Sequence, residues 1–204
     1  MADMLIDLTL RVTPQMILDA HGNEKMSYTG HLGTHFDVMD KEFPLEYTER
    51  QGIVFDVSHV QNREIDIPDI NMDEVSQDMF VAFYTGFTDK VGYGSQAYYA
   101  EHPQLSDALI DALLDKKVSI IGVDFERIRN GAESTVKNQY CADKGTFVVE
   151  NLCNLKAVVE HGRHFTAMCN LKAVVEHGRH FTACTYPMNY SGMTGLPCRV
   201  VARG

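Results

Sequence analysis

The sequence predicts a single α/β domain, and two stretches and a length carry that prediction. Residues Ser106 to Lys117 place Leu105, Leu109, Ala112 and Leu113 on one stripe, with Ser106 as N-cap and two lysines at the negative end of the helix dipole. This helix feeds Val118-Ser119-Ile120-Ile121-Gly122-Val123-Asp124, the pattern of a buried strand closed by an acid. Helix, turn, strand and terminal acid form the unit of α/β layers, whose ligands commonly sit at the carboxyl ends of strands. The chain has 204 residues, 45% of them hydrophobic, which is enough for one core.

The remaining elements follow from local pattern. Met4 to Val12 alternates aliphatic and polar side chains, as a half-buried strand does. Thr13 to Tyr28, punctuated by Pro14 and Gly22, reads as loop with one helical turn. Leu45 to Gly52 is expected to hold a short helix closed by Gly52, followed by a strand at Ile53 to Val57. Asn71 to Val75 looks like a helix start, and Met79 to Thr85 an apolar strand that turns at Thr85-Gly86-Phe87. Thr146 to Glu150 is a second buried strand with a carboxylate at its end, which reads equally as a solvated edge or a site residue. Cys198 to Ala202 makes the last strand.

Charge and composition exclude several roles. A formal charge of −10 without any run of Lys and Arg argues against nucleic acid as a partner. No stretch approaches the roughly 18 apolar residues of a membrane span, and the N-terminus lacks the basic start and apolar run of a secretory signal, so a cytoplasmic protein is expected. Five cysteines without a CxxC pair read as reduced thiols.

His31-Leu32-Gly33-Thr34-His35-Phe36-Asp37 is the candidate site, because two imidazoles and a carboxylate are the donors that hold zinc or manganese. On a flat strand His31 and His35 would be about 13 Å apart, too far for one ion. A helix would turn Asp37 away, and glycines at 30 and 33 weaken a helix there. The geometry therefore requires a curl at Gly33 and an extended stretch around Phe36, so that His35 and Asp37 share a face. Spacing alone leaves a chance pairing of histidines and an acid open.

Cys153 to Ala167 recurs unchanged at Cys169 to Ala183. Structural repeats diverge, so identity at every position marks a recent duplication or a copying artefact. His161, His164, His177 and His180 are thus one pair written twice, in a context that reads as a turn before a strand. A second copy is expected to be displaced to the periphery.

With these residues placed, the chain resembles the metal-dependent cyclase/hydrolase family that includes bacterial kynurenine formamidase and isatin hydrolase. The matching residues are Ile6-Asp7-Leu8-Thr9, His31 to Asp37, Thr85-Gly86-Phe87, Gly122-Val123-Asp124, Glu150-Asn151-Leu152 and Pro197 to Ala202. The resemblance implies a compact α/β domain with a β-barrel-like mixed sheet and flanking helices, assembled as a homodimer or homotetramer with the active site near a subunit interface. It implies one divalent ion, Mn or Zn, on His31, His35 and Asp37. The family motif continues with Pro and then His after the acid, where this chain has Met39 and Lys41, so Lys41 stands in the place of the general acid/base. A second-metal histidine is replaced by Asn138, beside Gln139. The expected centre is therefore a single ion with Gln139 or Glu150 as a further ligand, and Lys41, Glu150 or Asp40 as the proton carrier; a Lys41 that stays charged would instead hold an anionic substrate or stabilise an oxyanion.

The reaction this implies is hydrolysis of a small amide, lactam or lactone. Rival readings are a metal-dependent lyase or cyclase working through an enolate, and a metal- or small-molecule-binding homologue without turnover. Phe43, Tyr47 and Phe87 are aromatic side chains for a pocket in each, or for the core.

Overall fold

The structure, a computed structural model, describes residues 5–23, 26, 28–166 and 179–204, with side chains described outside 161–166. The described strands are β1 (Leu5–Asp7), β2 (His35–Asp37), β3 (Glu49–Asp56), β4 (Phe80–Tyr84), β5 (Ile120–Val123), β6 (Phe147–Glu150), β7 (Arg179–Pro187) and β8 (Gly195–Arg203). They form one sheet in the order β1-β8-β2-β6-β5-β4-β3-β7, and β7 also pairs with β8. That last pairing closes seven strands into a mixed barrel. β1 extends it, because β2 and β1 share one edge of β8 at residues 195–197 and 201–203.

The barrel has two hydrophobic faces because side chains alternate along each strand. Phe36, Val54, Phe80, Ala82, Ile120, Val149, Phe181, Ala183, Val200 and Ala202 come from all seven strands and fill the lumen. Alternate residues such as Phe55, Val81, Phe83, Ile121, Val123 and Val148 face outward. Against them pack Leu109, Ile110 and Leu113 of the helix Asp107–Asp115, the one expected from its stripe and capped by Ser106. Each fully buried side chain of this size stabilises the fold by about 1.5–3 kcal/mol. Helices are numbered α1 (Pro14–Asp19), α2 (Phe87–Val91), α3 (Gln96–Ala100), α4 (Asp107–Asp115), α5 (Ala132–Asp143) and α6 (Leu155–Thr166).

Two local expectations are corrected. Leu45 to Gly52 holds only a 3-10 turn at Leu45–Thr48, and the chain is already extended at Glu49, where β7 pairs with β3 from Glu49 to Val54. Gly52 lies inside that strand under the Phe181 ring; a Cβ there would sit 2.6 Å from the ring, so glycine serves packing and ends no helix. Asn71 to Val75 is likewise one 3-10 turn, Met72–Glu74, capped by the Asn71 side chain.

The duplicated segment is divided between two elements. Copy one supplies α6, whose Leu155, Val158 and Val159 pack into the lumen cluster, whereas copy two supplies the start of β7. The tetrapeptide Arg-His-Phe-Thr is therefore helical at 163–166 and extended at 179–182. The described end of the second copy, residues 179–183, is not peripheral, since Phe181 is buried beside Phe80 with ring centroids 5.8 Å apart; the rest of that copy lies outside the described residues. His180 is exposed and 3.7 Å from Glu74, and the side chains of His161, His164 and His177 lie outside the described residues.

Candidate metal centre

Backbone conformation gathers the motif. Gly30 and Gly33 take φ of +84° and +72°, which curls the chain before it enters β2 as the spacing required. Within β2, His35 and Asp37 share the outward face while Phe36 points into the lumen. Register then adds a fourth group, because His35 pairs directly with Glu150 at the end of β6.

The donor atoms converge. His31 Nδ1 is 3.0 Å from His35 Nε2 and 3.0 Å from Asp37 Oδ1, and His35 Nε2 is 3.6 Å from Asp37 Oδ1. Four ligands about 2.1 Å from a tetrahedral ion are spaced about 3.4 Å from one another, so this triangle has the size of one ion's coordination face. His35 Nδ1 is 2.9 Å from the Gly33 carbonyl, which can only accept, so Nδ1 carries the proton and Nε2 turns its lone pair inward. His31 Nε2 is held 3.0 Å from Thr194 Oγ1. The residues present fit a divalent cation.

Electrostatics divide the two carboxylates. Burial opposes the charge of Asp37, but hydrogen bonding to His31 and the closeness of both imidazoles outweigh it and hold Asp37 below the usual carboxylate range. Burial, and next the charge of Asp37, raise Glu150 well above its ordinary value. Glu150 Oε2 is 3.6 Å from His35 Nε2, and its buried Oε1 has no hydrogen-bond partner among the described residues.

A cavity of about 470 Å³ opens onto these groups. Its walls include Tyr93 and Tyr99 from the segment after β4, Arg127 after β5, and Asn138 on α5. The site thus lies beyond the carboxyl ends of the parallel strands β4, β5 and β6, as α/β topology favours.

Three residues expected from sequence sit elsewhere. Lys41 is partly exposed and paired with Asp143 at 2.8 Å and Asp40 at 3.1 Å; these acids raise its pKa, opposite to what a proton acceptor needs. Gln139 donates to Asp40 and Asp143, because one step along α5 rotates it about 100° from its neighbour. The inward residue is Asn138, whose Nδ2 donates to Asp37 Oδ2 at 2.5 Å. Asp124 closes β5 but does not line this cavity; it accepts from Thr85 N, Thr85 Oγ1 and Gly86 N and pins the turn after β4. Phe43 and Tyr47 pack on the lumen cluster and Phe87 on the outer one. Tyr93, Tyr99, Arg127 and Thr194 carry no motif; the helical spacing of Ser134 and Asn138 was the one sequence signal for a cavity-facing side of α5.

Comparison with known proteins agrees with this architecture. No curated protein matches the chain. Among solved structures, a potential metal-dependent hydrolase with cyclase activity superposes with a TM-score of 0.71 at 20% identity, covering 99% of this chain and 98% of that one. A predicted metal-dependent hydrolase from Bacillus stearothermophilus gives 0.69 at 20% identity, covering 100% and 99%. Isatin hydrolase A from Labrenzia aggregata, bound to benzyl benzoate, gives 0.67 at 15% identity, covering 98% and 93%. These likenesses establish the fold. The family model Cyclase, described as "Putative cyclase", matches residues 6–128, more than half of the sequence and including the whole histidine motif, and the chain belongs to the Cyclase family.

Proposed function

We propose that this protein is a metal-dependent hydrolase of a small amide, lactam or lactone, with one manganese or zinc ion on His31, His35 and Asp37. The supporting observation is the triangle of three donor atoms in the wall of a cavity, with the His35 tautomer set by Gly33. Held by His31, His35 and Asp37, such an ion would supply Lewis-acid chemistry, polarising a carbonyl and lowering the pKa of water from about 15.7 toward about 7. The protein's own groups supply the rest. Glu150, with an unpartnered oxygen and a raised proton affinity, takes the proton of the attacking water and passes it to the leaving atom. Arg127 offers a guanidinium to the carboxylate that hydrolysis produces, and Tyr93 and Tyr99 form the ring-binding wall.

The test is to strip metal with a chelator, assay amides, lactams and lactones, and restore one equivalent of Mn²⁺ or Zn²⁺. Activity lost and then recovered at one ion per chain is the expected result. Tight metal binding with no turnover of any substrate favours the binding homologue and overturns the proposal. One structural relative is described as having cyclase activity, and ring closure is a second reading of the same site. Product mass separates the two, because only hydrolysis adds a water.

We also infer a homodimer or homotetramer. In support, α1 buries none of its residues, and its Ile17 and Leu18 are more than half exposed. Light scattering at several concentrations tests this, and a monomer throughout would exclude it.

A further inference from the structure

Both ends of the histidine motif meet at Thr194. This residue stands immediately before β8, whose Gly195 pairs with Asp37 of β2. Its main-chain carbonyl accepts the N–H of Val38 at 2.9 Å and of Met39 at 3.1 Å, the two residues that follow Asp37. Its hydroxyl lies 3.0 Å from Nε2 of His31, at the other end of the motif. Two glycines permit so close a crossing. Gly195 N donates to Thr29 O at 2.8 Å, and a Cβ on Gly30 would fall 2.1 Å from the Gly195 carbonyl oxygen.

The two imidazoles are held unequally. His35 belongs to β2, is 2% exposed, and presents Nδ1 to the Gly33 carbonyl, so strand and carbonyl fix its ring. His31 precedes the strand, and its side chain is 20% exposed. Among the described residues, Thr194 is the one hydrogen-bond partner of the His31 ring outside the donor triangle. A carbonyl only accepts, whereas a hydroxyl donates and accepts, so Thr194 keeps hold of Nε2 in either neutral form of the ring. When Nδ1 donates to Asp37 Oδ1, 3.0 Å away, Nε2 accepts from the hydroxyl. When Nε2 carries the proton instead, the hydroxyl accepts it and the Nδ1 lone pair faces the triangle. Only this second form offers a cation a donor at Nδ1.

We propose that Thr194 is a positioning residue of the metal centre: its hydroxyl accepts the Nε2 proton of His31 and holds the ring in the form and orientation in which Nδ1 is a ligand. The inference rests on the metal site of the reading above and is independent of hydrolysis. A side-chain substitution leaves the carbonyl that accepts from Val38 and Met39, so the strand contact and the hydroxyl contact are separable. Thr194→Val keeps the β-branched shape without the hydroxyl, and Thr194→Ser keeps the hydroxyl without the methyl group.

The experiment titrates Mn²⁺ into the metal-free wild type, Thr194→Val and Thr194→Ser by calorimetry. Thr194→Val is expected to bind about 10–100-fold more weakly with one ion per chain retained, as when a partner behind a ligating imidazole is lost. Thr194→Ser should stay within about threefold of wild type, since one hydroxyl replaces another. Equal affinity in Thr194→Val and wild type overturns the inference. An equal loss in both variants also overturns it, because the hydroxyl is then not the cause. A second measurement reads the ring itself. In ¹⁵N NMR of the Zn²⁺-loaded wild type and Thr194→Ser, His31 Nε2 is expected to be the protonated nitrogen, with its N–H protected from exchange with water. That protection should be lost in Thr194→Val. An unprotonated Nε2 in the Zn²⁺-loaded wild type overturns the inference without any variant, which decides the case if Thr194→Val fails to fold. Wild type that binds Mn²⁺ but turns over no amide, lactam or lactone overturns the hydrolase reading alone, and the same titrations still decide the role of Thr194. Wild type that binds neither Mn²⁺ nor Zn²⁺ overturns both.

Discussion

Asn138 and Asp37 stand 101 residues apart in the chain and 2.5 Å apart in space, amide nitrogen to carboxylate oxygen. The contact leaves Asp37 one oxygen for the imidazoles, and α5 thereby joins a donor cluster that otherwise comes from β2 and the curl before it.

In the proposed centre all three donors of the triangle serve one ion, so removing any of them should abolish stoichiometric binding. Asp37→Ala and His35→Ala are expected to weaken Mn²⁺ by at least about 100-fold, beyond what loss of a supporting partner costs. His21→Ala, outside the motif, should not. Calorimetry on metal-free protein reads this, and an unchanged affinity in either site variant would place the ion elsewhere.

Lys41 offers the opposite case. Its ammonium is engaged by Asp40 and Asp143 at the surface, so Lys41→Met is expected to keep kcat/KM within about twofold and metal stoichiometry unchanged. A loss of tenfold would return the residue to the mechanism.

Gly52 has no room for a side chain beneath Phe181. Gly52→Val should destabilise the barrel by about 1–3 kcal/mol through overpacking, read as a lower urea midpoint with metal absent. A midpoint equal to wild type would mean that Phe181 can move aside freely.

Asp124 makes a pH prediction. Burial raises its pKa from 3.8 to about 6, against the hydrogen bonds from Thr85 and Gly86. The folded state therefore holds the proton more tightly than the unfolded chain. Stability from this group is full below about pH 4 and falls as pH rises through about 6, by at most about 3 kcal/mol. Urea unfolding of wild type minus that of Asp124→Asn should decline across this window and then level. A flat difference would refute the assignment.

The duplication predicts a tolerated deletion. Removing residues 163–178 joins Gly162 to Arg179 and restores one uninterrupted copy of the repeat. The buried residues of α6 before the junction and all of β7 remain, so folding and one-ion binding are expected to persist. A deletion variant that melts without cooperativity would show that both copies are required.

The sequence by itself determined the pieces whose physics is local. The stripe from Leu105 to Leu113 with its Ser106 cap set α4, apolar runs set β3 to β6, and the glycines at 30 and 33 allowed the curl that brings two histidines together. Glu150 was legible only as a carboxylate at a strand end, since solvent and site look alike until pairing register sets it opposite His35. Tertiary structure alone decided Asn138 over Gln139, because a phase of about 100° on a helix has meaning only once another element fixes the inward direction. It also decided that identical Arg-His-Phe-Thr segments end one helix and begin one strand. Four residues carry too little intrinsic preference to resist their surroundings, and the open edges of β3 and β8 made the choice.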